Sequence, residues 1–172
     1  MKVLKNIGYT LAIVGAFATS SVNAVLLDLT TFIPTVGTSG SVSTSTNYAT
    51  LTANSTLGSN VSGVSSFDWF FQANDYLPFN DYGYMTNGYF NTLSNVATVG
   101  NYGNSGWNTF TFGSAYTGYL EFGVMNSLDN ALSSQLHIQN VTAAIPEPET
   151  YAMLLAGLGL LGFSARRKIK HV

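Results

Sequence analysis

Between Val25 and Ala144 the chain contains no Lys and no Arg. All six cations lie at the two ends, at Lys2, Lys5, Arg166, Arg167, Lys168 and Lys170, and the middle carries only Asp28, Asp68, Asp75, Asp81, Glu121 and Asp129. A carboxylate buried in that middle region therefore has no side-chain cation to pair with, so it must be held by backbone amides, hydroxyls, a proton or an added ion. The same distribution excludes nucleic acid as a partner, since nothing there could neutralise phosphates and release their counterions. There is no cysteine, so neither a disulfide nor a thiolate nucleophile is available. With only 8% charged residues against roughly 25% in ordinary soluble domains, and with abundant Gly, Ser, Thr, Asn and Tyr, the composition is that of an extracellular β-protein.

Both ends read as targeting elements. The stretch MKVLKNIGYTLAIVGAFATSSVNA has two lysines, an apolar run and the small-residue tripeptide Val22-Asn23-Ala24. That is the three-part plan of a secretory signal peptide over residues 1–24, cleaved by signal peptidase between Ala24 and Val25. At the other end, IPEPETYAMLLAGLGLLGFSARRKIK runs from a proline-stiffened segment into an apolar stretch at 151–165 and then into closely spaced cations. As a helix that stretch would measure about 22 Å, short against a hydrocarbon core of about 30 Å. It has no polar face to present to solvent, and its terminal cations favour the cytoplasmic side. The expectation is a short transmembrane helix in the inner membrane, with the region between the two signals on the far side.

The order Pro146-Glu147-Pro148, apolar helix, Arg166-Arg167-Lys168 resembles the PEP-CTERM sorting signal of Gram-negative bacteria. The resemblance covers residues 145–172. It implies recognition and processing by exosortase and delivery to the cell surface or an exopolysaccharide matrix, as in biofilm. The physical logic is consistent: prolines keep the recognised segment out of helix and sheet, the apolar helix retains the substrate in the bilayer, and the basic cluster halts export.

The region 25–144 reads as all-β. Tyr48-Thr50-Thr52 alternate with Ala49-Leu51-Ala53, and Phe67, Trp69 and Phe71 alternate with Asp68 and Phe70. WNTFTFGS, YLEFGVM and LHIQNV each read as a half-buried antiparallel strand, with Asn126 to Asn130 as a turn-rich link. Strands so spaced point to a two-sheet, jelly-roll-like β-sandwich. Phe79-Asn80-Asp81-Tyr82 resembles the Phe-x-Asp-x-Phe signature of one PEP-CTERM subfamily, departing from it at the last position, where Gly83 stands. Pro78 is expected at an edge or strand start. On a strand, Asp81 would share the buried face of Phe79, although beside Asn and Gly the common fate of an Asp is a turn that bonds its own backbone. A calcium ion held by Asp81 with Asp75, or with Asp68 and backbone carbonyls, is the metal reading of the same residues, and their spacing fits no EF-hand loop.

Nothing in the sequence selects a catalytic centre. His137 stands alone in the middle region, in a strand context that turns it to solvent. No G-x-S-x-G frames a serine, and zinc would need more His or Cys. A glycosidase could draw on Asp68, Asp75, Asp81, Glu121 and Asp129, but no spacing singles out a pair. The reading is a non-catalytic surface or matrix protein. The alternative is a carbohydrate-binding module, calcium-dependent or not, whose stacking platforms would be Trp69, Tyr76, Tyr82, Tyr84 and Trp107.

Overall fold

The computed structural model describes residues 24–145 and 153–160. Residues 1–23 of the signal peptide expected over 1–24, the motif Pro146, Glu147 and Pro148, and the basic residues Arg166, Arg167 and Lys168 lie outside the described residues, as do both ends of the helix expected at 151–165. Residues 153–160 are helical, with every residue exposed, Leu154, Leu155, Leu158 and Leu160 included. Among the described residues no helix is long and apolar enough to cross a membrane.

Nine strands make up the body: β1 (Ala24–Leu26), β2 (Ile33–Val36), β3 (Ser41–Ser45), β4 (Tyr48–Thr52), β5 (Ser55–Gln72), β6 (Tyr82–Thr86), β7 (Phe90–Asn95), β8 (Asn108–Met125) and β9 (Gln135–Ala144). All pair antiparallel, in the order β3-β4-β9-β5-β8-β6-β7, with β1 added to β9 and β2 to β5.

The two longest strands, β5 and β8, serve both layers of the sandwich. The first half of β5 pairs with the end of β8, Ser55 opposite Val124, and also with β2; its second half pairs with β9, Phe71 opposite Leu136. The register shifts between Val61 and Val64, where Gly63 has φ +72°. A glycine in that conformation permits the extra residue of a bulge, which bends and twists the strand so that it can pass from one sheet to the other. The Gly63 amide donates to Thr117 Oγ1 at 3.0 Å, tying the corner of β5 to that of β8.

Alternation decides what each sheet buries. Ala49, Leu51, Phe67, Phe71, Leu136 and Ile138 from one layer meet Leu57, Met85, Leu120, Phe122 and Val124 from the other, all of them fully buried. Phe67 stands edge-on to Phe122 at 4.8 Å and stacks on Phe110 at 5.1 Å. The layers close so tightly at Gly83 that a Cβ there would lie 3.0 Å from Leu136 Cδ1 and 3.1 Å from Phe71 Cδ2.

Three sequence expectations are corrected here. WNTFTFGS and YLEFGVM are halves of one strand, β8, because the Gly113 to Gly118 stretch between them bends without turning back. Pro78 lies in the loop before β6 and not in a strand. Asp81 also precedes β6, and it is buried there rather than set in a turn of its own.

Candidate functional site

Asp81 is 0% exposed, and its carboxylate is held by the loop that joins β8 to β9. The Ser127 amide donates to Oδ1 at 2.8 Å; the Ser134 hydroxyl and amide donate to Oδ2 at 2.8 and 3.3 Å. Its own carbonyl accepts from the Val96 amide at 3.0 Å. Of the partners open to a buried carboxylate in a chain without central cations, the fold uses backbone amides and a hydroxyl, all distant in sequence. Burial pushes the Asp81 carboxyl above the usual carboxylate range; the bonds from Ser127 and Ser134 pull it down, and neighbouring Asp75 pushes it up further.

Asp75 is 1% exposed. Its Oδ1 accepts from the Tyr76 amide at 2.7 Å, while Oδ2 has no hydrogen-bond partner. The residue before it, Asn74, is tied to the same loop that holds Asp81: its amide donates to Ser134 Oγ and its side chain to the Ser133 carbonyl. Asn126, 9% exposed, closes the group. Its amide donates to Asn54 Oδ1 and its Nδ2 to Ser133 Oγ, leaving Oδ1 buried without a partner. Asn126 carried no signal in the sequence beyond its place in a turn-rich link.

Asp68 does not join this group. It lies on the outer face of β5, accepting from Thr109 Oγ1 at 2.6 Å and Asn140 Nδ2 at 2.8 Å. The structure thus brings together two of the three acids expected at a metal, Asp75 and Asp81, and leaves Asp68 apart from them. Among the described residues no three His, Cys, Asp or Glu side chains gather as a metal centre.

The five aromatics expected on one face are distributed over several places. Trp69 turns inward and borders an open groove of about 540 Å³ with Phe90, Leu93, Asn108 and Phe110. Tyr76 packs in the loop against Phe79 and Tyr102. Tyr82 and Tyr84 lie on the outer face of β6, where Tyr84 covers Gly123 and stacks on Phe90 at 4.8 Å.

Trp107 belongs to a further cluster, on the outer face of the β4-β9-β5 layer. It stands 5.6 Å from Phe70 and 6.3 Å from Tyr48, and both of those rings approach His137. Trp107 is 48% and Tyr48 37% exposed. The Tyr48 hydroxyl and His137 Nδ1 share a 2.6 Å hydrogen bond, and burial holds the imidazole below its ordinary pKa. His137 is therefore half-buried beneath aromatic rings, not turned freely to solvent.

Among the described residues, the groove bordered by Trp69, the adjoining one at Ser94 and Ser105, and that bordered by Tyr89, Tyr116 and Tyr119 are lined by no acid. Asp75 and Asp81 are both out of reach of a substrate.

The ends of the body meet at one edge. Ala24 pairs with Ala144 and Val25 with Ala143, so the expected signal-peptidase site and the last strand residue before the proline segment are ladder neighbours.

A family model described as the PEP-CTERM protein-sorting motif matches residues 144–168. The chain carries that motif, which marks it for export and exosortase sorting. The N-terminal cellulose-binding domain of Cellulomonas fimi β-1,4-glucanase C is similar at 12% identity and a TM-score of 0.31, over 67% of this chain and 90% of that one. A likeness at that level carries no argument about ligand. Comparison with curated proteins finds no match.

Proposed function

We propose that the mature chain, delivered by its sorting motif, is a non-catalytic protein of the cell surface or extracellular matrix of a Gram-negative bacterium. Signal peptidase would release Val25, exosortase would process the tail, and the inner membrane would be a temporary station. The observation that carries the reading is the β1–β9 pairing: residues 24 and 144 share one ladder, so the leader and the sorting tail leave the body from the same edge. A body tethered from one edge keeps its outer sheet faces available for contacts.

The test is mass spectrometry of the mature protein from its host, with and without exosortase, alongside fractionation of cells and matrix. A chain beginning at Val25, lacking the 151–165 segment and recovered with the matrix supports the reading. An intact tail in wild-type cells overturns it.

A second reading, contact with exopolysaccharide, is favoured by the exposed Tyr48–Trp107 cluster. Tyrosine and tryptophan faces with a polar tip are suited to half-wet contact surfaces. The rings are tilted by 31° to 62° to one another, so they form a ridge rather than the flat platform that would point directly to sugar stacking. Co-sedimentation with the host's own exopolysaccharide, lost on Trp107→Ala and kept on Tyr76→Ala, supports this reading; equal retention by wild type and Trp107→Ala removes it.

A further inference from the structure

We propose that Asp75, Asp81 and Asn126 form a binding site for a divalent cation, and that the ion is Ca²⁺. Asp75 Oδ2 and Asn126 Oδ1 are the buried side-chain polar atoms without a hydrogen-bond partner among the described residues. An unsatisfied buried oxygen costs about 1–3 kcal/mol, more when charged, so two beside one loop need a physical reason.

Both belong to residues knitted into the cradle of Asp81. Asn126 directly precedes Ser127, whose amide holds Asp81 Oδ1, and its Nδ2 is fixed to Ser133, next to the Ser134 that holds Oδ2. Asp75 is fixed from the other side, since Asn74 binds Ser133 and Ser134. The donors of Asn74, Asn126 and Ser127 and the Ser134 hydroxyl are thus directed at other partners than the two free oxygens.

The charge count points the same way. Two buried carboxylates stand in a body with no Lys or Arg between residues 25 and 144, and buried charges need a partner or an ion. A divalent cation neutralises both. The side-chain donors are all oxygens, two carboxylates and one amide carbonyl, which is the chemistry of a hard cation. Ca²⁺ tolerates an irregular shell of about 6–8 oxygens and can complete it with backbone carbonyls and water, whereas Mg²⁺ demands near-octahedral geometry and gives up water reluctantly. The ligands come from two loops, Asp75 and Asp81 from the one that joins β5 to β6 and Asn126 from the one that joins β8 to β9, so the ion would fasten the 126–134 loop to the 73–81 loop.

The experiment uses the full chain in detergent, stripped with EDTA, followed by calorimetric titration and thermal unfolding in CaCl₂, with MgCl₂ in parallel. Extracellular calcium modules bind at about 10⁻⁴–10⁻³ M. At 10 mM Ca²⁺, that affinity raises Tm by about 6–11 °C for a body of this size, with a smaller rise in Mg²⁺. Asp75→Asn weakens binding at least tenfold, and Asn126→Ser weakens it as well, which keeps the test decisive if one variant fails to fold; Asp68→Asn retains the full response.

Saturable calcium heat that Asp75→Asn or Asn126→Ser reduces supports the site. Absence of heat and of any Tm shift in the folded wild type overturns it. So does an equal or larger response to Mg²⁺, or a calcium response lost only in Asp68→Asn. If the stripped protein instead gains stability on acidification and ignores Ca²⁺, a proton satisfies the pocket and the metal proposal fails.

Discussion

Replacing Phe67 with alanine tests whether the body is one cooperative unit. Phe67 is 0% exposed on β5, within a pocket of Phe110, Phe112 and Phe122 at 5.1, 6.2 and 4.8 Å between centroids. Those neighbours come from both ends of β8, which pair with different halves of β5, so the cavity would open where the two layers share their strands. A buried Phe→Ala change costs about 3–5 kcal/mol, because transfer free energy is lost and rigid surroundings cannot fill the space. Unfolding entropy of about 2.1 cal/mol/K per residue gives about 0.25 kcal/mol/K for a body spanning 24–144, so a loss near 4 kcal/mol lowers Tm by about 16 °C. Phe70→Ala, one residue along on the outer face against Trp107 and His137, should lower it by about 4 °C for roughly 1 kcal/mol. Scanning calorimetry of the full chain in detergent reads both. A Phe67→Ala drop below about 5 °C, or one no larger than that of Phe70→Ala, refutes the shared-strand core; two separate transitions refute its cooperativity.

Gly83→Val should destabilise by about 1–3 kcal/mol, because the side chain enters the gap already closed by Leu136 and Phe71; chemical denaturation measures it, and a neutral result would mean the layers part easily. His137, held below its ordinary value of 6.5 by burial, is neutral in the fold at a pH where the unfolded chain takes up a proton. Its contribution is present in full above about pH 6.5 and is lost as pH falls towards the depressed folded value; His137→Gln should flatten that limb of a Tm–pH curve. Asp81 has the opposite sign: raised from 3.8, it favours the folded state at low pH and loses that contribution as pH rises through its folded pKa. Metal-free Asp81→Asn should therefore lose less stability between pH 4 and pH 7 than the wild type does.

Strand alternation made much of the fold legible. Ala49, Leu51 and Ala53 are all fully buried, as their spacing against Tyr48, Thr50 and Thr52 requires, and Phe67 with Phe71 holds the core. The Ser- and Thr-rich segment 37–66 supplied genuine strands, and within it Ala49, Leu51, Ala53, Ser55 and Leu57 are buried at every second place. Period-2 reasoning could not show that β5 and β8 each run through both sheets. A bend changes a strand's partners without changing its alternation, and its marker is a single glycine at Gly63. The acidic cluster was half legible: the absence of cations announced that buried Asp81 needed unusual partners, but those partners, Ser127 and Ser134, lie across the fold in a loop of ordinary turn composition. Alternation gave Asp68 the face opposite Phe67 and Phe71, and on that face it bonds Thr109 and Asn140, away from Asp75 and Asp81.

The position of β9 determines how the body answers to tension. Flanked by β5 on one side and by β4 and β1 on the other, it receives any force transmitted through residue 145 lengthwise. The antiparallel hydrogen bonds lie across that direction, so many rungs share the strain at once. With the leader still attached, opposite tugs at residues 24 and 144 would instead peel one rung after another. A chain cleaved before Val25, as proposed above, would exchange that zipper for a shear joint, the sturdier arrangement under a pull through residue 145.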